Sequence, residues 1–363
     1  FQRAANLLNQ QADLIWLRGE HSLLQRYLEE IPKNALLAKP KLTIYYSWIQ
    51  FTNGKFEEAE QSLNKVEKLI EPSSHKDAVK TVNDEKILFE TNKVKLRGRI
   101  AAIRASLASF RGDIAKIIPF SEQALKYLAE EDDTWRCIGA ITMGDAYMLK
   151  NNTKLAGKAY SEAVTASRTI KDINLYLMSN MLFAFSEVLL GKLHSAYEIY
   201  KKLTQFINEK SLLKTDFAGW LFAAKSYLLL EWNDLDNAEE YAIKSVEMSS
   251  YGHHVYIKGI LFNNLTAVRF ARKDWDRVEK GVREIEKIIA EFDVPRGVIN
   301  WKESWRARLW LANGNIKAAD DWVHSRGWNE ESHFTYLHKD EIIVYARILI
   351  TQGHIVAADK LLI

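Results

Sequence analysis

RLWLANGNIKAADDWVHSRGWNEESHFTYLHKDEIIVYARILITQG, residues Arg308–Gly353, carries one device twice. An apolar helical run stops at Asn313-Gly314 and is followed by Ile316 and Ala319. Thirty-nine residues later another stops at Gln352-Gly353 and is followed by Ile355 and Ala358. A run at helical spacing, a glycine free to take positive φ at its end, and a fresh apolar start just beyond describe one helical hairpin and the opening of the next.

The same turn slot recurs at Gly19, Gly54, Gly112, Asn151, Gly191, Asn233, Lys273, Gly314 and Gly353, with spacings of 35, 58, 39, 40, 42, 40, 41 and 39. Glycine or asparagine, the residues that tolerate left-handed backbone, fills eight of the nine slots, and only Lys273 departs. Seven residues before each slot stand Ala12, Ser47, Ala105, Gly144, Ala184, Ser226, Thr266, Ala307 and Ala346, all small. Five residues after stand Leu24, Ala59, Ile117, Ala156, Ala196, Ala238, Val278, Ala319 and Ala358, all apolar. Agreement at three coupled positions over nine copies marks a helix-turn-helix solenoid. The fourth copy (Gly144, Tyr147, Asn151, Ala156, Tyr160, Ala163) matches the tetratricopeptide pattern, at a period nearer forty than thirty-four. The expected fold is therefore all-α: a right-handed superhelix, an α-solenoid, of about nine tetratricopeptide-like hairpins.

Bulk composition agrees. Over 363 residues the chain has only 16 Gly and 5 Pro, too few turn formers for many short strands. Fifty basic residues against 47 acidic ones give a net charge of +3, with no electrostatic footprint for direct nucleic-acid binding. One cysteine, Cys137, excludes an internal disulfide framework and fits a reducing, cytoplasmic setting. No apolar run is long enough for a membrane span.

A single domain is expected over residues 1–363. Residues 1–70 give the first two hairpins, with Pro32 and Pro40 bracketing a short linker. The 58-residue spacing places an irregular polar insert at 71–86, and continuous repeats follow over 87–363. First helices are expected near 85–111, 134–150, 173–190, 214–232, 254–272, 296–313 and 334–352, with a second helix after each slot. Pro119 should kink the second helix of the third hairpin or shift its start. The last helix is cut at Ile363, so the chain reads as a piece of a longer protein.

No catalytic constellation is legible: there is no P-loop, dinucleotide fingerprint, HExxH or GxSxG. The chain is expected not to be an enzyme. His253-His254 are adjacent and His333 and His338 are five apart, poor spacings for a shared metal. Cys137 has no histidine within one helical turn and reads as core. The aromatic residues are more informative. In tetratricopeptide hairpins the positions thirteen, ten, six, three and two before the slot line the inner groove. Here those positions hold Arg99, Ser106, Asp145, Trp220, Tyr227, Asn263, Trp301, Ser304, Arg308, Asp340 and Arg347, with Met178, Met181, Phe185, Ile260 and Phe270 as the apolar part. Arg99, Asp145, Trp220, Tyr227, Asn263, Trp301, Arg308, Asp340 and Arg347 are the candidate ligand-binding residues. Such a mixture suits a small polar ligand with an apolar face, or a peptide.

The opening stretch, with Gly314, Trp322, Glu341, Ala346, Arg347 and Gly353, resembles a recurring segment of the large ATP-dependent LuxR-type, MalT-like regulators. Ile15–Pro32 and Lys39–Leu63 resemble the start of the same helical domain. The resemblance implies a sensor region of a multi-domain bacterial transcriptional activator. It implies an amino-terminal domain carrying ATP and a carboxy-terminal DNA-binding domain, both outside this chain, and no cofactor within it. The implied partners are a small-molecule inducer or regulatory protein, the other domains of the same chain, and further copies through self-association. A stand-alone tetratricopeptide scaffold for protein partners is the alternative.

Overall fold

The computed structural model describes residues 1–70, 83–248, 255–292, 294–328 and 334–362, and among these there is no β-strand. The elements run α1 (Gln2–Leu17), α2 (His21–Glu30), α3 (Lys33–Leu37), α4 (Pro40–Thr52), α5 (Phe56–Ile70), α6 (Asn83–Arg111), α7 (Ile114–Tyr127), α8 (Asp133–Leu149), α9 (Thr153–Ser167), α10 (Ile173–Leu189) and α11 (Leu193–Glu209). They continue with α12 (Asp216–Glu231), α13 (Leu235–Met248), α14 (Val255–Ala271), α15 (Trp275–Glu291), α16 (Arg296–Ala312), α17 (Ile316–Ser325), α18 (Lys339–Thr351) and α19 (Ile355–Leu362). The fold is all-α and built of helical hairpins. It divides into two compact units, Phe1–Tyr147 with Thr153–Phe183, and Met148–Asn152 with Ala184–Ile363.

Each hairpin turns at its slot in the same way. All nine slot residues have positive φ, from 58° at Asn151 and Asn233 to 83° at Gly353. The slot amide bonds three residues back and the next amide five back: Gly19 N to Trp16 O at 2.9 Å and Glu20 N to Ile15 O at 3.2 Å, and likewise Gly314 N to Leu311 O and Asn315 N to Trp310 O. These are the paired bonds of a Schellman stop, which satisfy carbonyls the helix leaves open. The second helix then begins two residues after every slot.

The small and apolar positions meet where the two helices cross. Ala12, Ser47, Ala105, Ala184, Ser226, Thr266 and Ala307 are fully buried, as are their counterparts from Leu24 to Ala319. The Ser226 hydroxyl donates to the Ala238 carbonyl at 2.7 Å, tying the position seven before the slot to the position five after it. At Gly144 even a methyl group would not fit, since a Cβ there would lie 2.3 Å from the Tyr160 ring.

Several expectations are corrected. The segment between Pro32 and Pro40 holds the short helix α3. Pro119 does not shift the start of α7, which runs through it: Pro119 and Ala115, whose carbonyl loses its partner, are both exposed, so water can take that role. The last first helix does not begin at 334. Thr335 and His338 bond each other's backbone and side chain as a capping box around a 3-10 turn, Tyr336–His338, and α18 starts only at Lys339. Of the 71–86 insert, residues 71–82 lie outside the described residues, and α6 begins at Asn83.

Unit one has a continuous core running from Ala5 to Leu175, with Trp135 its largest fully buried side chain. Unit two has smaller clusters, among them Val278, Val282, Ile285, Val298 and Trp305, and Ala307, Ala319, Trp322, Val344 and Ile348.

Lys273 is the one slot where a side chain other than Gly or Asn takes left-handed backbone, at φ 61°. Lys273→Gly removes that strain, and a chemical denaturation midpoint should show the second unit stabilised by roughly 1 kcal/mol. A loss of stability would mean that Lys273 makes compensating contacts.

Candidate functional site

Arg99 and Asp145 belong to the first unit and the other seven candidates to the second. The second unit brings five of them together: Tyr227, Asn263, Arg308, Asp340 and Arg347. Consecutive first helices present them. Six residues before successive slots stand Phe185 (α10), Tyr227 (α12), Ala267 (α14), Arg308 (α16) and Arg347 (α18), a row that runs from aromatic to cationic with a small residue in the middle.

Arg308 is the centre of the cationic end. Its guanidinium lies over Trp305 at 4.5 Å and over Phe270 at 6.0 Å, and Nη2 donates to Asp340 Oδ1 at 3.2 Å. Trp305 is itself fixed, since its Nε1 donates to Asn263 Oδ1 at 2.8 Å. Cation–π attraction thus holds the guanidinium over an indole that Asn263 itself fixes. Burial lowers the Arg308 pKa, and Arg347 pushes the same way against the opposing pull of Asp340. Among the described residues Arg308 Nε is buried without a hydrogen-bond partner.

The aromatic end lies under the start of α18. Phe185 and Tyr227 sit with ring centroids 6.0 Å apart. The Lys339 ammonium lies 5.8 Å from the Phe185 ring and 4.8 Å from the Tyr336 ring. Burial raises the Tyr227 pKa to about 12, partly offset by Lys339, and raises that of Tyr336 further, with Asp340 adding to it. Both hydroxyls are therefore neutral hydrogen-bonding groups at physiological pH. The segment before α18 is anchored twice: the Phe334 carbonyl accepts from Asn151 Nδ2 at 3.2 Å and the Leu337 carbonyl from Asn300 Nδ2 at 2.9 Å. Tyr336 was not legible as a site residue, because a helix starting at 334 would have aimed it differently, and Lys339 falls outside the five positions used to infer the groove. Trp305 falls outside the five positions used to infer the groove.

The other candidates have structural partners. Trp220 is half-buried against the cluster of Ala223, Ile257 and Leu261, and Trp301 packs beside Val298 and its neighbours. Asp145 accepts from Ser109 Oγ at 2.6 Å and from Tyr160 Oη at 2.8 Å, and burial raises its pKa in spite of both bonds. Arg99 lies in the first unit. Its Nε and Nη2 bond the Asp132 carboxylate at 3.1 and 3.3 Å, and Nη1 donates to Asp13 Oδ1 at 2.8 Å. Tyr45 and Trp135 face the guanidinium at 5.6 and 5.7 Å. Burial pushes the Asp13 carboxyl up, but Arg99, Lys41 and Tyr45 outweigh it and hold it well below the usual carboxylate range. Arg99 is thus spent on two carboxylates of its own chain.

Cys137 is fully buried, its thiol donates to the Ala163 carbonyl at 3.5 Å, and burial pushes it up to about 12. Among the described residues no group of three or more His, Cys, Asp or Glu side chains could hold a metal ion, and no helix is long and apolar enough to cross a membrane.

A protein family described as the MalT-like TPR region matches residues 98–363. The chain belongs to this family. Its relatives include the HTH-type transcriptional regulators MalT of Serratia proteamaculans and Yersinia enterocolitica, 22% and 23% identical over 321 residues, or 88% of this chain. The chain spans 33% of the length of each. Among solved structures, the fold resembles a Rap protein complexed with competence and sporulation factor, with a TM-score of 0.67, 11% identity, and coverage of 99% of this chain and 96% of that one. It also resembles a signal transduction ATPase with a tetratricopeptide repeat sensor from Pyrococcus horikoshii, with a TM-score of 0.54, 14% identity, and coverage of 98% and 50%. The family match contains the whole cluster around Arg308, whereas Asp13 and Tyr45 of the Arg99 network precede it.

Arg99→Leu leaves the buried Asp132 without its guanidinium and should cost about 3–5 kcal/mol in urea unfolding of the first unit. Adding Asp132→Leu should restore part of that loss. If the single variant costs nothing measurable, Arg99 is free to serve another purpose.

Proposed function

We propose that this chain is the sensor region of a multi-domain bacterial transcriptional activator. A small-molecule inducer or a regulatory protein binds the cluster on the first helices of the second unit. Binding shifts the whole protein towards an ATP-bound, self-associating form, with the ATP site and the DNA-binding domain outside this chain. The region itself is non-catalytic and works in the cytoplasm. The observation that carries this reading is the family match over residues 98–363, which contains the cluster where Tyr227, Asn263, Arg308, Asp340 and Arg347 converge. The relatives' name as transcriptional regulators and the likeness to a repeat sensor of a signal transduction ATPase support it.

Physically, such a region acts only if the ligand favours one conformation over another. The structure offers a suitable element. The segment leading into α18 reaches Asn151, Phe185 and Arg308 at once, so a ligand at the cluster competes with contacts that join several hairpins. A second reading, a scaffold for protein partners, is favoured by the likeness to a Rap protein solved with a bound factor.

The test pairs two measurements. A small-molecule screen by thermal melting identifies ligands of this chain. Light scattering of the protein from the complete native gene then follows assembly with and without ATP and the ligand. The sensor reading expects a ligand that raises the melting temperature and promotes assembly only when ATP is present. A protein partner that binds without any small ligand, with assembly indifferent to ATP, overturns it in favour of the scaffold.

A further inference from the structure

Arg308 is a strong anion-binding group used weakly. A guanidinium offers five N–H donors, and the edge formed by Nε and one Nη matches the two oxygens of a carboxylate or phosphate. Among the described residues, Arg308 has one ion pair, a monodentate one from Nη2 to Asp340 Oδ1 at 3.2 Å, and its Nε is buried without an acceptor. Arg104, by contrast, engages Glu67 through both Nη atoms at 3.0 and 2.9 Å and Glu60 through Nε at 3.1 Å. Arg99 is likewise satisfied on both edges. Arg308 also lies 4.5 Å over the ring of Trp305, whose indole is fixed by Asn263. A second guanidinium, Arg347, lies one hairpin on at the equivalent position and close enough to depress its ionisation. A preoriented guanidinium with an unused edge, backed by another of like charge, is an arrangement that a bidentate anion would complete.

We propose that Arg308 and Arg347 form a binding site for an anionic group, a carboxylate or a phosphate, and that Asp340 occupies it internally when no ligand is bound. This rests on the sensor reading above and specifies the chemistry of its ligand. Along the row of equivalent positions the small Ala267 stands between Arg308 and Tyr227, with Phe185 one hairpin further and its ring 6.0 Å from that of Tyr227. The ligand is therefore an amphipathic anion, with its charged end at Arg308 and its apolar or aromatic end towards Tyr227 and Phe185. Because Asp340 lies one residue after Lys339 and close to Tyr336, displacing it loosens the start of α18 from Phe185 and Tyr227. Occupancy of the anion site is thereby linked to the contacts that segment makes across the unit.

Isothermal titration of the 363-residue chain with phenyl phosphate, phenylacetate and uncharged benzyl alcohol tests this. The expected result is saturable binding of at least one anion, weakened by added salt, and little binding of the alcohol. The stronger of the two anions separates a phosphate ligand from a carboxylate ligand. Arg308→Gln should weaken the anion by roughly tenfold or more, and Arg308→Lys, which keeps the charge but not the fork, by an intermediate factor. Asp340→Asn should tighten it several-fold by removing the internal competitor. Melting curves of each variant confirm folding. If the alcohol binds as well as the anions and Arg308→Gln changes nothing, the face takes ligands without an anion site; the inference then falls while the sensor reading stands. It falls equally if neither anion binds at millimolar concentration, or if Asp340→Asn weakens binding.

Discussion

The structure depends on one repeated constraint, the stop of each first helix in left-handed backbone at a fixed distance from a small side chain. The Schellman bonds at Gly19, Gly314 and their equivalents reverse the chain within two residues. That reversal brings the position seven before the slot against the position five after it, and the pair must be small enough for the helices to touch. Ser226 bonding the carbonyl of Ala238, and Gly144 lying against the ring of Tyr160, show the crossing from its polar and its steric side. Once this register is set, every first helix shows the next hairpin the same stripe of positions. Function is then a matter of which side chains are placed on that stripe.

The two units use the stripe differently. In the first, Arg99 is closed off by Asp13, Asp132 and Tyr45 within an aromatic cluster of Trp16, Trp48 and Trp135. Such a network specifies a packing arrangement at a high desolvation cost, and it leaves no donor edge for a ligand. In the second unit, Arg308, six before its slot where Arg99 stands thirteen before, has one monodentate carboxylate and, among the described residues, no acceptor for its buried Nε. The same residue type therefore has opposite meanings in the two units, decided by how many acceptors the neighbouring elements supply.

That contrast explains what the sequence could and could not show. The turn slots, the small positions and the start of each second helix were all readable, because each follows from local backbone chemistry repeated nine times. Even Lys273, the residue that breaks the pattern, takes positive φ. The stripe positions were readable as positions, but not as a site. Whether Arg99 or Arg308 faces a free edge depends on Asp132 or Asp340, which lie 33 and 32 residues away in sequence. Tyr336 was hidden because the Thr335–His338 capping box replaces the first turn of the expected helix with a 3-10 turn, and Lys339 because it lies fourteen before the slot, outside the five groove positions. Trp305 was hidden for a different reason: its role is to hold Arg308, which no spacing rule reveals.

The sensor role proposed above requires a larger protein, since its output would be a change in how other domains assemble. The relatives this chain matches are about three times its length and are transcriptional regulators. The most direct measurement is the sequence of the native gene on both sides of these 363 residues. The account predicts an upstream domain with a phosphate-binding GxxxxGK[ST] loop and a downstream helix-turn-helix domain in the same reading frame. A reading frame that begins and ends close to Phe1 and Ile363 would contradict it and leave a free-standing helical-repeat scaffold.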